Sequence, residues 1–330
     1  MSLNLDDEWE NFLAGEFIES HDKTISIDHN KLRENCKELY ISTKTKITYL
    51  ENEVDLGNLF WKLPVLDYID RKEGIIKKQM KFTCNTKEEF NNFETIKNEQ
   101  KNIDIYTISN IDNPTGHTKF KYICKVNIGI SKKDILSYKS KKRGAFYNCF
   151  VCILRVEHDD TFKEVNVKIF NTGKLSFPGM LSDDLMVKSL NLLIKIFDEC
   201  GYKTNYISNK VETVLINSNF NCGFYIDRDN LYTLLKDKYN LNVSYDPCSY
   251  PGIQCKYTIK NCKLSFMIFR TGSVLIVGKC SEKILYEVYE TIKNILIDEH
   301  SNIASKTFVE EKKKVKEEKK VKKKIIYISN

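Results

Sequence analysis

The stretch IFNTGKLSFPG at residues 169–179 returns ninety-nine residues later as IFRTGSVLIVG at 268–278. Each copy reads as a strand, a tight turn and a second strand, with a phenylalanine just before the turn (Phe170, Phe269). From Ile169 to Ser182 the offset is constant and keeps Ile, Phe, Thr, Gly, Gly and Ser in place. Solenoid repeats have shorter periods, so the spacing predicts one unit written twice, an internal pseudo-dimer.

The order of elements around each copy supports this. KYICKVNIG alternates as a strand, with Tyr122, Cys124, Val126 and Ile128 on one face and Lys121, Ile123, Lys125 and Asn127 on the other. A short helix follows at SKKDILSY, capped by Ser131, and then FVCILRV, EVNVKIF and KLSF read as strands, with Thr172-Gly173 in a turn. Ser182 caps a helix whose stripe is Leu190, Leu193, Ile196 and Phe197, ended by Gly201. TVLINSNF, RDNLYTLLKDKY, GIQCKYTI, KLSFMIF, VLIVG and SEKILYEVYETIKNIL repeat the sequence of strand, helix, three strands and helix. The resulting division is an extension at 1–100 of unread fold, repeats at 101–205 and 206–300, and a Lys-rich tail at 301–330. HNKLRENCKELY is a candidate helix within that extension.

Strand parity separates the two faces. Val165, Val167 and Ile169 share one side of EVNVKIF, which leaves Glu164, Asn166, Lys168 and Phe170 on the other; in KLSFMIF, Leu264, Phe266 and Ile268 stand opposite Lys263, Ser265, Met267 and Phe269. If the closing helices cover the first set of each pair, Phe170 and Phe269 stand on an uncovered sheet surface and want a partner. Cover from residues 1–100 or another element would make both ordinary core.

Charge qualifies what that partner is. Of the net +7, the ends contribute nothing: six acids without Lys or Arg in residues 1–20 balance ten Lys against four Glu in 301–330. The excess belongs to 21–300, a mild bias compatible with a polyanion. The acidic start LDDEWENF could fold back on a basic face or serve as a tail for another partner. The repetitive EKKKVKEEKKVKKK reads as a solvated tail. Eleven scattered cysteines, several inside strands, read as reduced packing thiols; Cys149 and Cys152 have zinc-ribbon spacing but no second pair. No apolar run reaches the ~18 residues of a membrane span, and an acidic N-terminus is unlike a signal peptide, so the expectation is an intracellular protein without a membrane partner. Gly-rich phosphate loops, metal clusters and paired carboxylates are missing, which argues against an enzyme, a small-molecule substrate or a cofactor.

The residues IFNTGK and IFRTGS with their trailing Gly179 and Gly278, the segment SYDPCSYPGI at 244–253, and the final helix SEKILYEVYETIKNIL resemble the TATA-box-binding protein family. The likeness runs over about 118–300 and is stronger in the second repeat. It implies an α+β fold: a saddle-shaped, curved antiparallel sheet built from two pseudo-symmetric repeats, with helices on the convex face and DNA on the concave one. It also implies the mechanism. Aromatic pairs wedge into base steps at both ends of an opened minor groove and kink the duplex by roughly 80°, for which this family is the standard example.

Carried over, the resemblance makes Phe269 and Tyr250 one wedge pair and Phe170 a member of the other. The mate of Phe170 is Cys149 or Phe150 by the register from Arg155, or Phe146 after a shift. Asn217 would read the central bases, with Lys121 where the other repeat should have its Asn, and Ile123, Met267, Leu275 and Val277 would line the groove. Arg155, Lys174, Lys256 and Lys263 would hold phosphates, beside Thr172 and Thr271. Departures at Pro178, Val277, Leu181, Cys280 and Ser273 weaken the case for strict TATA selectivity. The implied partners are double-stranded AT-rich DNA, other transcription initiation factors and RNA polymerase, in a nucleus, a viral factory or a virion. A saddle converted to protein binding or virion structure is the competing expectation.

Overall fold

A computed structural model describes residues 29–136 and 146–305. Twelve strands form one open, curved, antiparallel sheet. They are β1 (Tyr40–Tyr49), β2 (Gly74–Cys84), β3 (Ile103–Asp112), β4 (Phe120–Gly129), β5 (Cys149–His158), β6 (Thr161–Phe170), β7 (Lys174–Pro178), β8 (Glu212–Asn221), β9 (Asn242–Ser244), β10 (Ile253–Ile259), β11 (Cys262–Ile268) and β12 (Ser273–Gly278). Across the sheet the order is β3-β4-β2-β5-β6-β7-β1-β8-β12-β11-β10-β9. The helices are α1 (His29–Asn35), α2 (Leu56–Lys62), α3 (Lys87–Asn98), α4 (Lys132–Leu136), α5 (Asp183–Glu199), α6 (Arg228–Asp237), α7 (Glu282–Asp298) and α8 (His300–Ile303).

Tight turns set the register in both halves. Asp159 and Asp160 (φ 52° and 54°) join β5 to β6, and Lys260 and Asn261 (φ 47° and 65°) join β10 to β11. Two successive residues with positive φ make the turn whose twist matches antiparallel strands. The doubled motif supplies the next turn. Gly173 and Gly272 both have φ +76°, and their N–H groups donate to the Phe170 and Phe269 carbonyls (3.0 Å each). A Cβ would come within 2.6 Å of Asn52 O at Gly173 and 2.3 Å of Phe224 O at Gly272, so both the dihedral and the space require glycine.

One face of the sheet carries the core. Val165, Val167, Ile169, Leu175 and Phe177 of the first half pack under α5 through Leu190, Leu193, Ile196 and Phe197; Leu264, Phe266, Ile268, Val274 and Ile276 of the second pack under α7 through Leu285, Val288, Ile292 and Leu296. Ser182 and Ser281 cap these helices by accepting from Leu185 N and Ile284 N. The covered faces are those that strand parity selected. The cysteines are all free, and most are buried.

The first half departs from the expected division at 101. The strand beside β8 is β1, not Phe120–Gly129, so the first repeat begins inside the region taken as an extension. Two sets of bonds make the equivalence plain. Tyr49 faces Lys174 across β1 and β7 as Asn221 faces Ser273 across β8 and β12. Val54 N donates to Asn171 O as Ile226 N donates to Arg270 O, both at 2.8 Å. β2 then occupies the place of β9, and α3, β3, β4 and α4 are an insertion between β2 and β5 that adds two strands at the outer edge. The helix expected over HNKLRENCKELY ends at Asn35; Lys37 N donates to Asn221 O and Tyr40 begins β1. The acidic start and the Lys-rich segment lie outside the described residues.

β1 also fastens the two halves. Lys44 pairs with Glu282 (2.6 Å) and the buried Lys46 with Asp183. Both acids lie in the first turn of a closing helix, where negative charge also complements the helix dipole.

Candidate nucleic-acid interface

The face opposite the helices is open in the second half. Its rows are Thr213, Leu215, Asn217, Asn219 and Asn221 on β8; Ser273, Leu275 and Val277 on β12; Lys263, Ser265 and Met267 on β11; and Gln254, Lys256 and Thr258 on β10. Lys256 and Lys263 are exposed and flank this apolar and amide-bearing floor. Asn217 Nδ2 donates to Thr43 Oγ1 of β1 (2.8 Å), which holds the amide at the junction of the halves. At the end of β11, Phe269 and Tyr250 meet edge to face, ring centroids 5.9 Å apart. Gly252 lies beneath them: a Cβ there would be 3.0 Å from the Phe269 ring and 3.2 Å from Tyr250. The cradle therefore depends on a missing side chain.

The same face of the first half is partly roofed. Arg155 is buried; its guanidinium donates to the carbonyls of Tyr68 (2.8 Å) and Asp70 and stacks on the Tyr68 ring at 4.8 Å. Tyr68 Oη donates to Glu164 (3.3 Å), which also accepts from Lys132 N at the start of α4 (2.9 Å). Asp134 pairs with Lys77 (2.7 Å); burial alone would raise its carboxyl, but bonds from Lys77 and Ser131 outweigh that and hold it below the usual range. Here the chain covers its own sheet. Arg155 is a structural tie, not a free phosphate ligand, because it is buried and bonded to two backbone carbonyls of the covering loop.

Beyond that roof Phe170 stands half-buried on the open face, with Lys174 Nζ 5.8 Å from its ring centroid. Its expected mates part ways. Phe150 has 0% exposure and packs edge to face on Phe60 under the helices, so it is core and not a wedge. Cys149 faces Phe170 across the strand pair but is buried. Phe150 faces Ile169 as Ile253 faces Ile268, which makes Tyr147, three residues earlier, the counterpart of Tyr250. Tyr147 and Phe146 are both 63% exposed, and each ring sits under a lysine, Lys81 at 3.4 Å and Lys168 at 4.7 Å. The bond and charge of Lys81 hold the Tyr147 phenol below its ordinary range. The sheet register exposes Tyr147; the sequence signal was one residue of strand phase.

Two further positions move. Ile123 lies on β4, is buried at 9% and belongs to the insertion, five strands from β1 rather than at the centre. Lys121 is likewise on β4. The true counterpart of Asn217 is Thr45: Pro178 faces Thr45 as Val277 faces Asn217. Asn219, on the same row as Asn217, was findable from alternation along TVLINSNF.

Comparison with known proteins agrees with the better-kept half. The family model described as transcription factor TFIID, or TATA-binding protein, matches residues 210–298. A TATA-box-binding protein-like chain of Acanthamoeba polyphaga mimivirus is 24% identical over 196 residues, covering 50% of this chain and 53% of that one. The TATA-box-binding protein of Acanthamoeba castellanii is 23% identical over 179 residues, covering 53% and 64%. The chain thus spans between half and two thirds of the length of these relatives. The solved Methanococcus jannaschii TBP superposes with a TM-score of 0.41 at 16% identity, over 80% of this chain and 99% of that one. The doubled strand-turn-strand motif, the family model over residues 210–298 and the mimivirus and amoeba relatives make this a divergent chain similar to TATA-binding proteins.

Proposed function

We propose that the open face binds the minor groove of double-stranded, AT-rich DNA and bends it, and that the protein nucleates a transcription initiation complex. The observation that carries this is the Tyr250–Phe269 pair on a neutral, amide-bearing floor, with Phe170 at the equivalent place in the other half. Aromatic wedges at the two ends of a pseudo-two-fold surface unstack one base step each, at a few kcal/mol per step, and the contact area gained offsets that cost. The minor groove offers mostly A·T-versus-G·C information, which apolar side chains and a few amides such as Asn217 and Asn219 suffice to read. Met267, Leu275 and Val277 supply the apolar contact, and Lys174, Lys256 and Lys263 the phosphate contact. The convex helices and the loop around Pro247 and Tyr250 are the surfaces for other initiation factors and RNA polymerase. No catalytic chemistry is assigned to the chain. The mimivirus and amoeba relatives support a viral factory or a nucleus as the place of action.

The test is fluorescence energy transfer across an end-labelled AT-rich duplex. The wild type should bind and bend it, and Phe269→Ala should lose affinity by about 30-fold or more, the size of a buried aromatic anchor; Phe170→Ala should lose bending at the other end. No association at moderate salt would overturn the reading and leave a protein partner as the occupant of this face.

A further inference from the structure

The insertion gives the first half something its counterpart lacks. The second half ends at β9, three residues long and without charge (Asn242–Ser244). The first continues past β2 through β4 and β3, two more strands or about 10 Å of sheet at ~4.8 Å each. On the open face of that addition Lys125 of β4 lies directly opposite Lys81 of β2. Like charges facing each other across strands are destabilising, so a chain that keeps such a pair needs a reason for it.

Two more lysines stand beside it, and no acid among the described residues pairs directly with any of the four. Lys81 reaches over Tyr147, Lys168 over the adjacent Phe146, and Lys121 is near enough to help lower the Tyr147 phenol. Burial pushes the Lys125 ammonium below its ordinary range, and the nearby Lys77 pushes it further. Two acids offset part of the cost to Lys125: Asp104, which accepts from the neutral Asn127 amide (3.3 Å), and Asp134, which is shared with Lys77. Among the described residues none of Lys81, Lys121, Lys125 and Lys168 forms an ion pair with an acid. The result is a four-lysine patch beside the exposed aromatics of the first half, on the face that carries Phe170.

We infer that this patch holds the phosphates of the duplex immediately outside the first-repeat wedge, lengthens the contacted DNA at that end alone, and so fixes which way the pseudo-symmetric sheet sits on its site. The inference rests on the DNA-binding reading above. A surface with two equivalent halves has no intrinsic direction on a near-symmetric A·T tract, and one-sided contact supplies it. An extra 10 Å of sheet corresponds to about three base pairs at ~3.4 Å of rise per step. The charge complementarity is to phosphate, which is why the outboard face needs no base-reading groups.

Hydroxyl-radical footprinting of the full chain on an AT-rich duplex should show protection extending about three base pairs farther from the kink at one end than at the other. The double variant Lys81→Gln/Lys125→Gln should lose that extension and lower the slope of log K against log salt by about 2, one phosphate each at ~0.9. Bending by energy transfer should persist, and Lys195→Gln on the helix face should change nothing. A footprint symmetric about the kink, or an unchanged salt slope in the double variant, would overturn the inference while wild-type bending left the DNA reading standing. Absence of wild-type binding and bending would remove both.

Discussion

The two halves of the sheet descend from one pattern and have been treated differently. The second is contiguous in sequence from Glu212 to Asp298, keeps its open face clear, and matches the family model almost end to end. The first is interrupted by an insertion, roofed at one end by Tyr68–Asp70 and α4, and has committed its arginine to holding that roof. What both retain is the turn: the same positive φ at Gly173 and Gly272, the same carbonyl bond to the preceding phenylalanine, the same apolar face under a capped helix. The lesson is about which constraints bind hardest. Backbone geometry and core parity persist where surface chemistry has changed.

The largest effect expected from breaking this comparison is at Phe150. Truncation to alanine empties a fully buried site against Phe60 and should cost about 3–5 kcal/mol in urea unfolding. DNA affinity of the folded fraction should stay near wild type, the reverse of the Phe269→Ala outcome. A stable variant that had lost DNA binding would return Phe150 to the wedge.

Glu299 tests an anchor of the second half. It is 3% exposed in its side chain and accepts from Lys238, from Tyr239 Oη (2.8 Å) and from Asn302 Nδ2 (2.8 Å), tying α6 to α8. Those bonds, Lys238 foremost, pull its carboxyl down to about 2 from 4.5. A depressed carboxylate gives stability that is complete above pH 4.5 and is lost as the pH falls through about 2. Glu299→Gln should therefore cost about 2 kcal/mol at pH 7, and the gap from wild type should close between pH 4.5 and 2. A gap independent of pH would mean that packing, not charge, sets the cost.

The smallest effect is at Lys256. It is exposed on the open face beside β9, and Lys256→Gln should weaken DNA binding only a few-fold, lowering the salt slope by about 0.9. Stability should not move. A loss as large as that of Phe269→Ala would mean that Lys256 does more than hold a phosphate.

How much of this was legible in the sequence follows from where apolar periodicity and core coincide. EVNVKIF and KLSFMIF alternate cleanly, so their faces and the capped helices could be read directly, and the open placement of Phe170 and Phe269 followed once the helices were assigned a face; Tyr250 came only through the family resemblance. β1 could not. In YISTKTKITY the row toward the helices is Ile41, Lys44, Lys46 and Thr48, shifted by a bulge at Ser42, and its lysines are satisfied by acids far away in sequence, so alternation gives no sign of a central strand. KYICKVNIG is a good strand next in line before β5, and only hydrogen bonding places it outside β2. Phe150 was misplaced by a single residue of register, the smallest error that moves a side chain from one face to the other. The tie-down of Arg155 needed the Tyr68 loop, for which short-range pattern carries no signal.

The position of β1 has a consequence for how the chain is made. Its neighbours are β7 and β8, whose residues follow it by well over a hundred positions. The first strand of this sheet in chain order is therefore among the last to find its place, and the first half stays without its central strand until residue 178 has been synthesised. β9 to β12, by contrast, pair with near neighbours in sequence, and β8 finds β12 only about fifty positions on, so the second half can close soon after it emerges. Distant pairings slow folding because loop entropy is spent before contacts form. The interrupted half should be the slower folder, and the waiting edge of β7 the place where misassembly begins.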